Sequence, residues 1–177
     1  MAIRKIARLG HPILRVPAEP VPPEKILSSD IKELIQDLRD TVIDENGAGL
    51  AAPQIFESKQ IVLLEIEEEM TVWINPIIRP VSDEIVIGFE GCLSVPNMRG
   101  AVARYHKIQV DGFKEDGTTF SIELEDHSAV VAQHECDHLQ GILYVDRVEP
   151  FTLTFLEEYK EYGHLLWAFI DDELEEE

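Results

Sequence analysis

The run His134-Glu135-Cys136-Asp137-His138 constrains this chain more than any other stretch. Along an α-helix successive residues turn by ~100°, so His134 and His138 lie ~40° apart, one turn removed, on a single face. Two imidazoles placed this way can share one metal ion. Glu135 is rotated ~100° from His134, too far round to be the obvious third ligand but near enough to touch a water on such an ion. Cys136, ~200° round, faces the opposite side. The preceding Ala129-Val130-Val131-Ala132 is apolar and Gly141 follows, so a helix is expected from about Ser128 to Gln140.

A third ligand has to come from elsewhere, and the sequence offers two sources. Glu157 and Glu158 lie 19 and 20 residues beyond His138, the arrangement of thermolysin-like metallopeptidases. Cys92 sits upstream in Glu90-Gly91-Cys92-Leu93-Ser94-Val95-Pro96, where small neighbours let a thiolate approach a metal. Gly141 ends the helix early and leaves 36 residues, little for a second lobe, and the two glutamates belong to a strongly acidic helix. The balance favours Cys92, with Glu158 as the alternative. A third reading, from another class, is a non-catalytic domain stapled by metal whose acidic carboxy terminus binds a basic partner.

The remaining chain supplies the frame. Pro17-Ala18-Glu19-Pro20-Val21-Pro22-Pro23 is a stiff extended segment. Asp30 with Glu33 offers a capping box for a helix whose apolar positions are Ile31, Leu34, Ile35, Leu38 and Val42, ending near Asn46-Gly47 with the glycine left-handed. Gln60–Glu65, Thr71–Asn75, Glu84–Gly88, Lys107–Phe113 and Thr118–Leu124 read as strands, with a hairpin turn at Lys114–Gly117. Pro150 is placed to open a last helix with a stripe of Phe155, Tyr159, Tyr162 and Leu166. Helix, strands and helices segregated in this way indicate an α+β fold, short antiparallel strands around the central His134–His138 helix with helices at each end. Nothing marks a boundary, so residues 1–177 are expected to form a single domain. Acids outnumber bases 35 to 15, a net charge of −20 that disfavours nucleic acid and membrane partners. Two cysteines, no long apolar run and no secretory or transit pattern point to the cytoplasm.

Three blocks, in order, carry a resemblance. Gly47-Ala48-Gly49-Leu50-Ala51-Ala52-Pro53-Gln54, Glu90-Gly91-Cys92-Leu93-Ser94 and Gln133-His134-Glu135-Cys136-Asp137-His138-Leu139 are similar to the signature of bacterial peptide deformylases. The likeness extends to Pro12-Ile13-Leu14-Arg15 and covers nearly the whole chain. It implies removal of the formyl group from the initiator methionine of nascent chains, releasing formate. Cys92, His134 and His138 match the metal ligands, with a fourth position open to water. Glu135 matches the proton carrier, and Gln54 with the backbone N–H of Leu93 the donors that stabilise the oxyanion. The resemblance further implies that Gly49 pairs with the substrate backbone, that Ala48 and Arg99 border the substrate, and that Glu90 is a buried carboxylate behind the ligands. Val130 and Val131, four and three residues before His134 on the same helix face, are placed to line the methionine pocket.

The family's usual ion is ferrous iron; the ligand set equally accepts zinc, cobalt or nickel. Three positions depart from the pattern: Ala48 where Val or Ile is frequent, and Phe56 and Asp126 where Gly is frequent. Ala48 is expected to widen the methionine pocket, and Asp126 to cap the metal helix. Some relatives are thought to dock on the ribosome through a basic carboxy-terminal helix. Here residues 157–177 carry nine acids and one lysine, so any proximity to the ribosome is expected to use other surfaces.

Overall fold

A computed structural model describes residues 2–66 and 69–174. The strand run Ile61-Val62-Leu63-Leu64 organises it, because all four side chains are fully buried. A strand apolar on both faces needs a layer on each side. Ile61 and Leu63 face helix α1 (Ser29–Asp44) and its Leu38 and Val42, whereas Val62 and Leu64 face helix α2 (Asp126–His138) and its Ala129 and Ala132. Between the two helices lies an antiparallel sheet of order β1-β2-β3-β6-β7, formed by Gly49–Ala51, Ile61–Ile66, Glu69–Pro80, Lys107–Phe113 and Thr119–Glu125. Trp73 fills the α2 side and meets the Phe120 ring at 5.4 Å.

A second antiparallel sheet, β4-β5-β8, comprises Ile85–Cys92, Val95–Tyr105 and Thr154–Phe155. The β5 strand has no counterpart among the sequence-based strands, and neither β3 nor β5 is short. Pro96, Asn97 and Gly100 hide β5 from a β-propensity reading. Because β4 runs on to Cys92, the cysteine closes a strand instead of sitting within a loop.

Local signals were right in kind and often displaced. Ser28, not Asp30, caps α1, accepting from the Ile31 N–H. Asn46, with φ of 50°, takes the left-handed position expected of Gly47. Asp126 is not a cap either: Glu125 occupies that position without a side-chain bond, while Asp126 has φ of 53° and binds His106. Phe56 has φ of 67°. Both positions at which the family favours glycine are thus left-handed here, which accounts for the preference. Gly141 does turn the chain out of α2, at φ of 74°, and a Cβ there would lie 2.7 Å from the Arg15 carbonyl carbon. The proline-rich segment is extended, and the Asn75 side chain brackets it through both the N–H and C=O of Val21.

Pro150 does not open the last helix. Phe151 turns left-handed, β8 follows, and α3 runs from Leu156 to Leu174. Of the expected stripe Tyr159 does pack, closing on Phe89 together with Trp167, while Phe155 and Tyr162 stay exposed. The terminal acids Glu175–Glu177 lie outside the described residues. Among those described, no helix is long and apolar enough to cross a membrane.

Candidate metal centre

Four elements converge on one point. The end of β4 supplies Glu90 and Cys92, the β4–β5 turn Leu93 and Ser94, α2 His134, Glu135 and His138, and a 3-10 turn at Ala52–Ile55 supplies Gln54. Cys92, His134 and His138 bring their ligand atoms within 4.8 Å of one another, the one such three-donor cluster among the described residues. The His138 Nε2 stands 3.4 Å from the Cys92 Sγ. His134 uses Nδ1 toward the Glu90 carboxylate, at 2.7 Å, which leaves Nε2 for the cluster.

Glu90 is held in turn. Arg104 grips it through two nitrogens at 2.8 and 3.0 Å and also reaches Asp137, which Arg147 binds at 2.7 and 2.9 Å. Burial opposes ionisation of Glu90, but the bonds to His134 and Arg104 outweigh it and hold its pKa at about 2. Burial likewise raises the Cys92 thiol, yet the charge of His138 and the bonds to both imidazoles bring it well below its usual range. His134 is raised despite burial by its bonds to Cys92 and Glu90. The lowered thiol supplies the thiolate that a metal ion needs, whereas the raised His134 must give up its Nε2 proton when an ion binds. A thiolate with two imidazoles suits one divalent transition ion. Tyr144, buried against His134 with ring centroids 6.2 Å apart, closes the back of the centre.

Glu135 is buried beside this cluster and outside its ligand set. Its carboxylate lies against Gly49, where a Cβ would fall 2.5 Å from Oε1, so any side chain at the start of β1 would displace that carboxylate. The Oε2 atom has no partner among the described residues. Burial, with the negative charges of Cys92 and Glu90, raises its pKa against the pull of the imidazoles. Gln54 is pinned by the Ala51 N–H donating to Oε1 at 2.8 Å, and its Nε2 points to the Cys92 Sγ at 3.5 Å. The amino-terminal segment straps both loops: the Ala7 N–H donates to Gln54 O, the Arg8 guanidinium to Leu93 O and the Leu9 N–H to Ser94 O.

The other sequence candidates lie around this point. Arg99 covers Gly91, whose added Cβ would collide with the guanidinium. Ala48 is exposed just before β1 and accepts from the Glu65 N–H. Val130 is half-buried one turn before His134, while Val131 packs into the Trp73 cluster. Glu157 and Glu158 are exposed on α3 and contribute nothing to the donor cluster, which removes the thermolysin-like arrangement. Sequence reading missed Arg104, Ser94 and the strap, whose partners are far apart in the chain.

Comparison with known proteins now decides the family. The sequence profile of polypeptide deformylase matches residues 3–153. The chain belongs to the polypeptide deformylase family. Peptide deformylase 2 of Ralstonia nicotianae is 42% identical over 160 residues, 85% of this chain and 89% of that protein. The Leptospira biflexa peptide deformylase is 41% identical over 164 residues, covering 86% and 92%. Among solved structures, the Thermotoga maritima peptide deformylase superposes with a TM-score of 0.81 at 34% identity, over 85% of this chain and all of that one. The Acinetobacter baumannii class I type b enzyme bound to Met-Ala-Ser gives 0.80 at 33%, over 83% and 99%. The chain is therefore a metallohydrolase that removes the N-formyl group from nascent peptides, and the non-catalytic reading falls with the peptidase one.

Proposed function

We propose that Glu135, Gln54 and Leu93 perform deformylation at the Cys92/His134/His138 centre, on N-formylmethionyl peptides. The observation that carries this reading is the buried Glu135 carboxylate, held against Gly49 beside the three donors with one oxygen unpartnered. Cys92, His134 and His138 would hold a divalent ion, which when bound would supply Lewis-acid polarisation and an acidified water. Glu135, its pKa raised, takes a proton as water adds to the formyl carbon. The Gln54 Nε2–H and the Leu93 N–H point at the oxygen on which charge develops. When the C–N bond breaks, Glu135 returns its proton to the departing amine, and formate and a free amino terminus leave.

Substrate placement follows from the sheet. The β1 strand is an edge strand, so the Gly49 backbone is available to pair with an extended peptide. Val130, Val131, Ala48 and Arg99 border the methionine site in this reading, with Ala48 leaving the wall lower than a Val or Ile would. We assign ferrous iron as the cellular ion, with zinc, cobalt or nickel able to replace it. The protein would act in the cytoplasm on chains leaving the ribosome, without a basic helix to hold ribosomal RNA. The deciding experiment is an anaerobic assay of formate release from a formyl-Met peptide using Fe(II)-loaded protein. Wild type should release formate and Glu135→Ala should not, at equal iron content. Full activity of Glu135→Ala would end the proton-carrier role.

A further inference from the structure

We propose that Ser94 is a positioning residue whose buried hydroxyl aims the Gln54 amide. This rests on the reading of Gln54 as an oxyanion donor. Only the oxygen of an amide side chain accepts, and the Ala51 N–H can only donate, so the Gln54 Oε1 must face Ala51. Both hydrogens of Nε2 then have fixed directions. One goes to the Ser94 Oγ at 3.2 Å and the other toward the Cys92 Sγ at 3.5 Å. The second is the hydrogen that an oxygen beside Cys92 would receive.

The position of the hydroxyl does not depend on its own bond. The Ser94 N–H donates to the Cys92 Sγ at 3.4 Å, and its carbonyl accepts from the Leu9 N–H at 2.9 Å. Main-chain bonds thus fix the residue, which is fully buried, and the side chain serves as an acceptor at a set point. Without that acceptor the amide keeps its Ala51 bond and the long contact to the Cys92 Sγ, and is freer to turn about its terminal torsion, which is broad for glutamine. The hydrogen beside Cys92 would then sweep off line. A hydroxyl accepts or donates as required, so it suits an amide whose oxygen is already committed.

The test is a double-mutant cycle on metal-loaded protein with formyl-Met-Ala-Ser. Ser94→Ala should lower kcat ~10-fold, the scale of one lost hydrogen bond, with KM and metal content held within ~3-fold. Affinity for Met-Ala-Ser, which has no formyl oxygen, should stay the same. In the Gln54→Ala background the same change should cost less than ~2-fold, because the group it aims is gone. The isosteric pair Ser94→Thr and Ser94→Val guards against a folding defect: the threonine should retain more rate than the valine. Equal loss from Ser94→Ala in both backgrounds, or equal rates for the isosteres, would overturn the role of Ser94 alone. Wild-type turnover by Gln54→Ala would overturn the Gln54 reading and this inference together.

Discussion

Helices α2 and α3 make opposite uses of charge. The shorter, α2, has 13 residues and places Gln133, His134, Glu135, Asp137 and His138 largely out of water, and four other elements pair or cover them. Gln133 alone binds both the N–H and C=O of Tyr105, ending β5 as a backbone partner would. The longer, α3, has 19 residues, keeps Glu157, Glu158 and Glu161 in solvent and rests on Phe89 through Tyr159 and Trp167. The family match stops at residue 153, before α3 begins. Length and helix propensity therefore say little about which helix matters. What distinguishes α2 is that distant charges satisfy its polar face, which fixes the helix in one place.

The sharpest break in this comparison would be exchange of ligand roles between the two helices. Cys92→Ala should lose metal and activity, far beyond the ~10–100-fold cost of an outer partner, whereas Glu158→Ala should keep both. Metal analysis and turnover on one preparation decide it; the reverse pattern would move the centre to α3. Next, Glu135→Gln should retain metal while turnover falls by ~10² to 10⁴. Loss of metal would place Glu135 among the ligands instead.

A smaller effect tests how far the support of α2 reaches. Glu90→Gln leaves His134 without a charged partner and Arg104 with Asp137 alone, so metal affinity should fall ~10–100-fold, measured by competition with a chelator. An unchanged affinity would show that His134 needs no partner.

Smaller still is the tether at the start of α2. The Asp126 bond raises the pKa of His106, aided by the charge of Glu84. A raised folded value means stability that is complete below the ordinary 6.5 and disappears as pH climbs through the raised pKa. Melting temperatures of wild type and His106→Gln should therefore differ most in mild acid and converge in alkali. A gap independent of pH would show packing instead of charge. Least of all, deletion of residues 171–177 should leave metal content and turnover on short peptides unchanged, and no salt-sensitive ribosome binding should depend on it. Co-sedimentation with ribosomes at low salt that this deletion removes would assign α3 a function after all.

What could be read from the sequence follows the same division. The His134/His138 pairing was legible because helical geometry converts a four-residue spacing into proximity. Cys92 required a choice between candidates, which the converging donors now settle as to ligand geometry. Arg104 was not legible: its partners Glu90 and Asp137 lie 14 and 33 residues away, and no local pattern announces such a pair. β5 escaped for a related reason, since its place between β4 and β8 stabilises a strand that its own residues favour weakly. The displaced caps at Ser28 and Asn46 are smaller errors, set by where tertiary packing lets each helix stop.

The strap at Ala7–Leu9 also imposes an order in time. These residues are synthesised early, yet their partners Gln54, Leu93 and Ser94 emerge much later, and His138 later again. At 5–20 residues per second, roughly 6 to 26 s separate the emergence of Leu9 from that of His138. For the first part of that interval the three donors of the strap have no partners, since Gln54 is made 45 residues after Leu9 and Ser94 85 residues after it. The centre can close only once the α2 segment has been made, so the growing chain stays inactive until most of it exists, and its earliest residues wait for partners made 47 to 85 residues later.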